Sequence, residues 1–182
     1  MRRAAVLLAL AVGIASGIQG QNADKQAQRA KPMAPLAWLV GGVWTADTSK
    51  MGGGMQRIET RYAWSDNSAF IRFNTHFVIN KQELHNYDGS FFWDPERATL
   101  AMWYMNPRNE IFQGPVQVDG DIMTMEFQAK DSQEKEADFR VTVTRKTNDR
   151  YGWRLEEKQA EGWKEMLALE YLRTPDLRKQ ER

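Results

Sequence analysis

From position 43 to position 173 the apolar residues recur at every second place, and the pattern is interrupted about every ten to fifteen residues by turn chemistry. This alternation constrains the chain more than any other feature. Period two means strands with one face buried, and the interruptions are too short to hold the crossover helices that parallel strands require. The candidate strands are 43–49, 55–64, 69–79, 83–93, 98–105, 111–118, 122–129, 137–146, 151–159 and 163–173. Between them lie Gly52-Gly53-Gly54, Ser65-Asp66-Asn67, Asn80-Lys81, Asp94-Pro95-Glu96, Asn106-Pro107-Arg108-Asn109, Asp119-Gly120-Asp121, the charged run 131–136, Asn148-Asp149 and Glu161-Gly162. About ten antiparallel strands in one sheet leave two edges exposed unless the sheet closes. The sequence therefore predicts an all-β fold, a single closed antiparallel meander barrel of about ten strands, spanning residues 36–174.

Alternation also assigns faces. In 55–64, Arg57, Glu59 and Arg61 fall on one side and Ile58, Thr60, Tyr62 and Trp64 on the other, so the second set should line the interior. The same rule turns Ile71, Phe73, Thr75 and Phe77 inward, then Met123, Met125 and Phe127, then Phe139, Val141 and Val143, then Trp153 and Leu155, then Leu167, Leu169 and Tyr171. This interior is rich in rings and thioethers, which either fill a barrel or adapt to an irregular apolar guest.

The ends of the chain read differently. Met1-Arg2-Arg3, an apolar run from Ala4 to about Ile14 and the small residues Ala15, Ser16 and Gly17 make a secretory signal pattern over residues 1–20. The apolar run is about half of the roughly 20 residues a membrane-spanning helix needs, so no stable span is expected after cleavage. Residues 21–35 are polar and end in Lys31-Pro32-Met33-Ala34-Pro35, the composition of a flexible tether. One apolar helical turn, Leu36 to Val40, then stops at Gly41-Gly42, and residues 175–182 form a charged tail. The expected location is outside the cytoplasm, periplasmic or secreted.

Composition removes several functions. With 25 Lys and Arg against 24 Asp and Glu, dispersed along the chain, there is no basic footprint for nucleic acid. The absence of cysteine removes disulfides, thiolate metal sites, iron–sulfur clusters and a cysteine nucleophile. No Gly-x-Ser-x-Gly elbow, His-Glu-x-x-His helix or Ser/His/Asp grouping occurs. Met51-Gly52-Gly53-Gly54-Met55 precedes a strand instead of a helix, so it reads as a loop at the barrel mouth and not as a phosphate cradle.

The two histidines, His76 and His85, depend on register. A two-residue turn at Asn80-Lys81 sets them directly opposite one another, half of a metal site. A three-residue loop instead pairs Ile71 with Phe91, Phe73 with Gly89, Thr75 with Tyr87 and Phe77 with His85. A one-residue slip inverts every side chain, so the register that keeps the apolar face coherent is expected, with His85 inside beside Tyr87 and no metal bound.

Leu39-Val40-Gly41-Gly42-Val43-Trp44, opening the first strand after a helical turn, resembles the Gly-x-Trp start of calycin barrels, which include lipocalins, fatty-acid-binding proteins and nitrobindin-like barrels. The Leu-Val-Gly-x-x-Trp opening, the Tyr87-x-Gly89 step and the Trp93-Asp94-Pro95 corner are most similar to DUF1579-like secreted bacterial proteins. The resemblance implies that an arginine late in the last strand covers the tryptophan, which gives Gly42, Trp44 and Arg173 a structural role. Nitrobindin-like barrels ligate haem through a histidine on a late strand; no histidine follows His85 here, so no cofactor is expected. Fatty-acid-binding proteins use an Arg-x-Tyr pair near the C-terminus, and Tyr171 and Arg173 stand in reverse order.

Three functional expectations follow. The leading one is a barrel that binds a small apolar or amphipathic molecule in its lumen, with Tyr62, His85 and Tyr87 as polar handles among Phe73, Trp93, Met125 and Trp153. It requires a cavity on the order of 300 Å³ or more. The second is a structural or protein-interaction barrel of the cell envelope with a filled core and an exposed apolar patch. The third is a lumen-based isomerase or hydrolase, which needs a buried ionisable group of shifted pKa near the mouth.

Overall fold

The computed structural model describes residues 25, 27, 28, 30–130 and 133–175. The expected signal segment, residues 21–24, 26 and 29 of the polar tether and nearly all of the charged tail lie outside the described residues. Ten strands follow one another around a closed antiparallel barrel in which each pairs with its neighbours in sequence and β1 closes on β10. They are β1 (Val43–Asp47), β2 (Met55–Trp64), β3 (Phe70–Ile79), β4 (Gln82–Asp94), β5 (Thr99–Met105), β6 (Ile111–Asp119), β7 (Ile122–Lys130), β8 (Glu136–Thr147), β9 (Arg150–Gln159) and β10 (Gly162–Thr174). The fold class expected from the alternation is the fold observed.

One end of the barrel is sealed. A 3-10 helix, η1 (Lys31–Leu39), precedes β1, and Met33, Leu36 and Leu39 are fully buried. Their spacing of three matches the three residues per turn of a 3-10 helix, which stacks all three on one face. Residues 31–35, expected in the tether, thus form the first half of this plug. At the opposite end the chain runs through a second short 3-10 turn, η2 (Ser49–Met51), and the connections 80–81, 106–110 and 160–161, which surround the mouth.

The seal is built on the Gly-Gly-x-Trp segment. Trp44 has no exposed surface, and its Nε1 donates to Leu39 O at 2.7 Å. Arg173 lies over it with Cζ 4.4 Å from the ring centroid and donates from Nη1 to Val40 O at 3.2 Å, from Nη2 to Asn148 O at 2.9 Å, and also from Nη2 to Trp38 O. Gly42 sits at φ +68°, and a Cβ there would fall 2.7 Å from Thr174 O, so only glycine fits under the arginine. The seal continues into the barrel, because the Trp44 ring is 4.7 Å from that of Tyr151.

Both registers weighed for the β3–β4 hairpin occur, one in each half. Asn80 and Lys81 adopt φ of 51° and 65°, a two-residue turn of left-handed residues that pairs Ile79 with Gln82 and His76 with His85. Asn86 is then left over as a bulge, and beyond it Thr75 faces Tyr87, Phe73 faces Gly89 and Ile71 faces Phe91. The turn dictates the register near the mouth, the apolar face dictates it deeper in, and one extra residue reconciles them.

Candidate functional site

The inward positions enclose a cavity of about 410 Å³. Twelve of its 23 lining residues are aromatic, and all five tyrosines of the chain, Tyr62, Tyr87, Tyr104, Tyr151 and Tyr171, are among them. Only one of the seven tryptophans, Trp153, joins them. The rings form a continuous wall: Tyr104 stacks on Phe112 at 4.7 Å, Phe127 on Phe139 at 6.0 Å, and Tyr151 on Tyr171 at 4.8 Å.

Five expected lining residues, Tyr62, Phe73, Tyr87, Met125 and Trp153, do line this cavity. Two do not. His85 faces outward, half-exposed, because the bulge at Asn86 inverts its side; its Nε2 lies 3.1 Å from Asp88 Oδ2 and its ring stacks on His76 at 4.9 Å. Trp93 lies on the inward side of β4 but one pair beyond the cavity toward the sealed end, opposite Leu100, where it is 38% exposed. His76 in turn pairs with Glu83 at 2.7 Å. Among the described residues no group of three or more His, Cys, Asp or Glu side chains is arranged to hold a metal.

The reading of the sequence missed Tyr104 and Tyr151 as polar handles and left Tyr171 among the apolar lining. Tyr151 follows from Trp153 by alternation, since residues two apart on a strand share a face. Tyr104 stands in Leu100-Ala101-Met102-Trp103-Tyr104, which is apolar on both faces and gives parity nothing to work with.

The five hydroxyls share one electrostatic neighbourhood. Tyr151 interacts with Tyr62 and Tyr171, Tyr171 with Tyr62 and Tyr87, and Tyr87 with Tyr104. Burial pushes the Tyr62 hydroxyl up to about 12, partly offset by its hydrogen-bonding contact with Tyr151. Burial likewise raises Tyr87, Tyr104, Tyr151 and Tyr171. All five are therefore neutral phenols at physiological pH, each with one proton to donate. Thr60 and Thr75 add two hydroxyls, bonded to each other at 3.0 Å.

Among the described residues the lining contains no carboxylate and no imidazole; its one charged member is Lys130, at the mouth, where Nζ is 3.3 Å from Glu134 Oε2. The β6–β7 ladder runs only from Val116–Met125 to Asp119–Ile122; toward the mouth the two strands stay so close that a Cβ on Gly114 would collide with Glu126 O, and an outer groove lies beside them. Phe127 and Phe139 line both the groove and the lumen, so their rings stand between the two.

No family model and no characterised protein matches this chain by sequence. Among solved structures, the crystal structure of Rv2717c from M. tuberculosis is similar, with 14% identity, a TM-score of 0.47, and coverage of 79% of this chain and 97% of that one. The described residues contain no helix long and apolar enough to cross a membrane.

Proposed function

We propose that this protein is an exported, calycin-like binding protein that holds a small apolar or amphipathic molecule in its lumen. One observation carries the reading: a cavity of about 410 Å³ lined by every tyrosine in the chain. Ligand sites are largely apolar with a few convergent polar groups, and a volume of this size falls in the range of about 300–1,000 Å³ typical of them. The aromatic wall supplies contact area, and the phenols supply orientation. A barrel that served only as a rigid structural body would gain by closing this space, because buried voids cost stability. Export rests on the signal pattern of residues 1–20, and kinship with DUF1579-like secreted proteins rests on the Leu-Val-Gly-x-x-Trp, Tyr-x-Gly and Trp-Asp-Pro motifs. No cofactor is assigned: neither histidine of the chain lines the lumen, so the histidine that ligates haem in nitrobindin-like barrels has no counterpart there.

Native mass spectrometry with a visible absorption spectrum, on protein purified from an exporting host, tests this. A co-purified mass that leaves on denaturation is the expected result. A bare polypeptide that also ignores apolar fluorescent probes would move the filled structural barrel to first place, and a haem spectrum would overturn the cofactor assignment.

A further inference from the structure

Resting on that reading, we infer the class of ligand: a flat ring compound whose buried end carries neutral oxygen acceptors, such as ring carbonyls. The argument begins with a surplus of donors. Five tyrosines and two threonines bring seven hydroxyl protons to the lumen. The contacts they make among the described side chains, Tyr62 with Tyr151, Tyr171 with Thr60, Tyr87 with Asn86 and Thr60 with Thr75, occupy at most four of those protons. At least three donors are left facing the cavity, and among the described residues the lining has no carboxylate to accept from them. An apolar guest would leave them unsatisfied in a desolvated space, whereas acceptor oxygens on the guest would satisfy them.

Charge is decided by the same lining. A carboxylate pushed to the floor would meet phenols but no cation, and a desolvated anion without a counterion is strongly disfavoured. Lys130 is the one cation among the described lining residues, and it stands at the mouth, so a charged substituent has a place there. Shape follows from the walls. Twelve of the described lining residues are aromatic, so a guest in the lumen is surrounded by rings. Aromatic rings prefer ring partners, offset-stacked or edge to face.

The test is isothermal titration calorimetry with three probes of one shape: menadione, its hydrocarbon parent methylnaphthalene, and naphthoate at neutral pH. Menadione is expected to bind at least about tenfold more tightly than methylnaphthalene, the net effect of two hydrogen bonds. Tyr104→Phe, which removes the one phenol that takes part in none of these side-chain contacts, should shrink that ratio to about threefold or less, with an unchanged near-ultraviolet circular dichroism spectrum verifying that the variant is folded. Equal affinity for menadione and the hydrocarbon would overturn the inference and leave lumen binding standing. Naphthoate binding more tightly than menadione would overturn the assignment of a neutral buried end. If none of the three binds, the lumen reading falls and this inference falls with it.

Discussion

On β2, Thr60 and Tyr62 point into the barrel, while Glu59 and Arg61 between and beside them point out, and the two sets are in opposite electrostatic situations. Burial alone would push the Glu59 carboxyl up, but hydrogen bonds from Arg57 at 2.7 Å and Arg61 at 2.9 Å outweigh it and hold the group below the usual carboxylate range. Glu156 is held low mainly by the Arg140 hydrogen bond, and Glu170 by those from Lys146 and Arg150. The inner face has no such compensation, and its five phenols are raised by burial. Charges outside are thus matched by the protein itself, whereas the donors inside exceed what the protein can match. Surplus of that kind signals a binding site, and matched pairs signal structure.

The sharpest way to break this comparison is alkali. A phenol whose folded pKa is raised stabilises the protein fully below the unfolded value of about 10, and that stability is lost as pH rises toward the folded value, because the unfolded chain ionises first. With all five tyrosines acting in the same direction, this is the largest effect expected. Phenolate absorbance should stay low through pH of about 10 and then rise in one cooperative step together with loss of near-ultraviolet circular dichroism. Gradual ionisation of a folded protein centred near pH 10 would show that the hydroxyls are open to water and would dissolve the contrast between faces.

Next in size is Trp44→Ala. The ring is fully buried under Arg173 and against Tyr151, so its removal should cost about 3–5 kcal/mol in urea denaturation. It should also loosen Tyr151 and weaken binding of any lumen probe. A loss below about 1 kcal/mol would mean that the seal is not what supports the cavity floor.

Most of the barrel was legible because alternation and turn chemistry agree almost everywhere. Strand ends fell within one or two residues of those observed, and Gly42, Trp44 and Arg173 meet as the calycin resemblance implied. The failures come where two local rules conflict or where a rule is silent. At Asn80-Lys81 the turn and the apolar face demand different registers, and a choice of one hides the bulge that satisfies both. Parity assigns Trp93 a face but says nothing of how far the cavity extends along the strand. Met33, Leu36 and Leu39 were not seen as a face because their period is 3.0, not 3.6. The tyrosine set emerges only when five strands are brought around one lumen, and no window along the chain contains it.

A moderate effect is expected in acid. A carboxylate held low in the folded state stabilises it above the ordinary value of about 4.3, and that contribution is lost as pH falls through the folded value. Melting temperature should therefore decline below pH of about 4. Glu59→Gln should cost about 1 kcal/mol at neutral pH and flatten that decline, since one of the depressed groups is gone. An unchanged acid limb would assign the acid sensitivity to Glu156 and Glu170 instead.

The smallest expected effect sharpens the contrast most, because it uses two residues separated by a single bulge. His85 and Tyr87 flank Asn86 on β4; His85 faces solvent against Asp88, and Tyr87 faces the lumen near Tyr104 and Tyr171. In a barrel without the bulge both would point the same way. His85→Gln should change stability by less than about 0.5 kcal/mol, as an exposed ion pair is worth little, and should leave the affinity for a lumen probe unchanged. Tyr87→Phe should weaken an oxygen-bearing probe by about fivefold, the worth of one hydrogen bond, with stability nearly intact. Equal losses from the two variants would place both side chains on one face, erase the bulge at Asn86 and return His85 to the lumen.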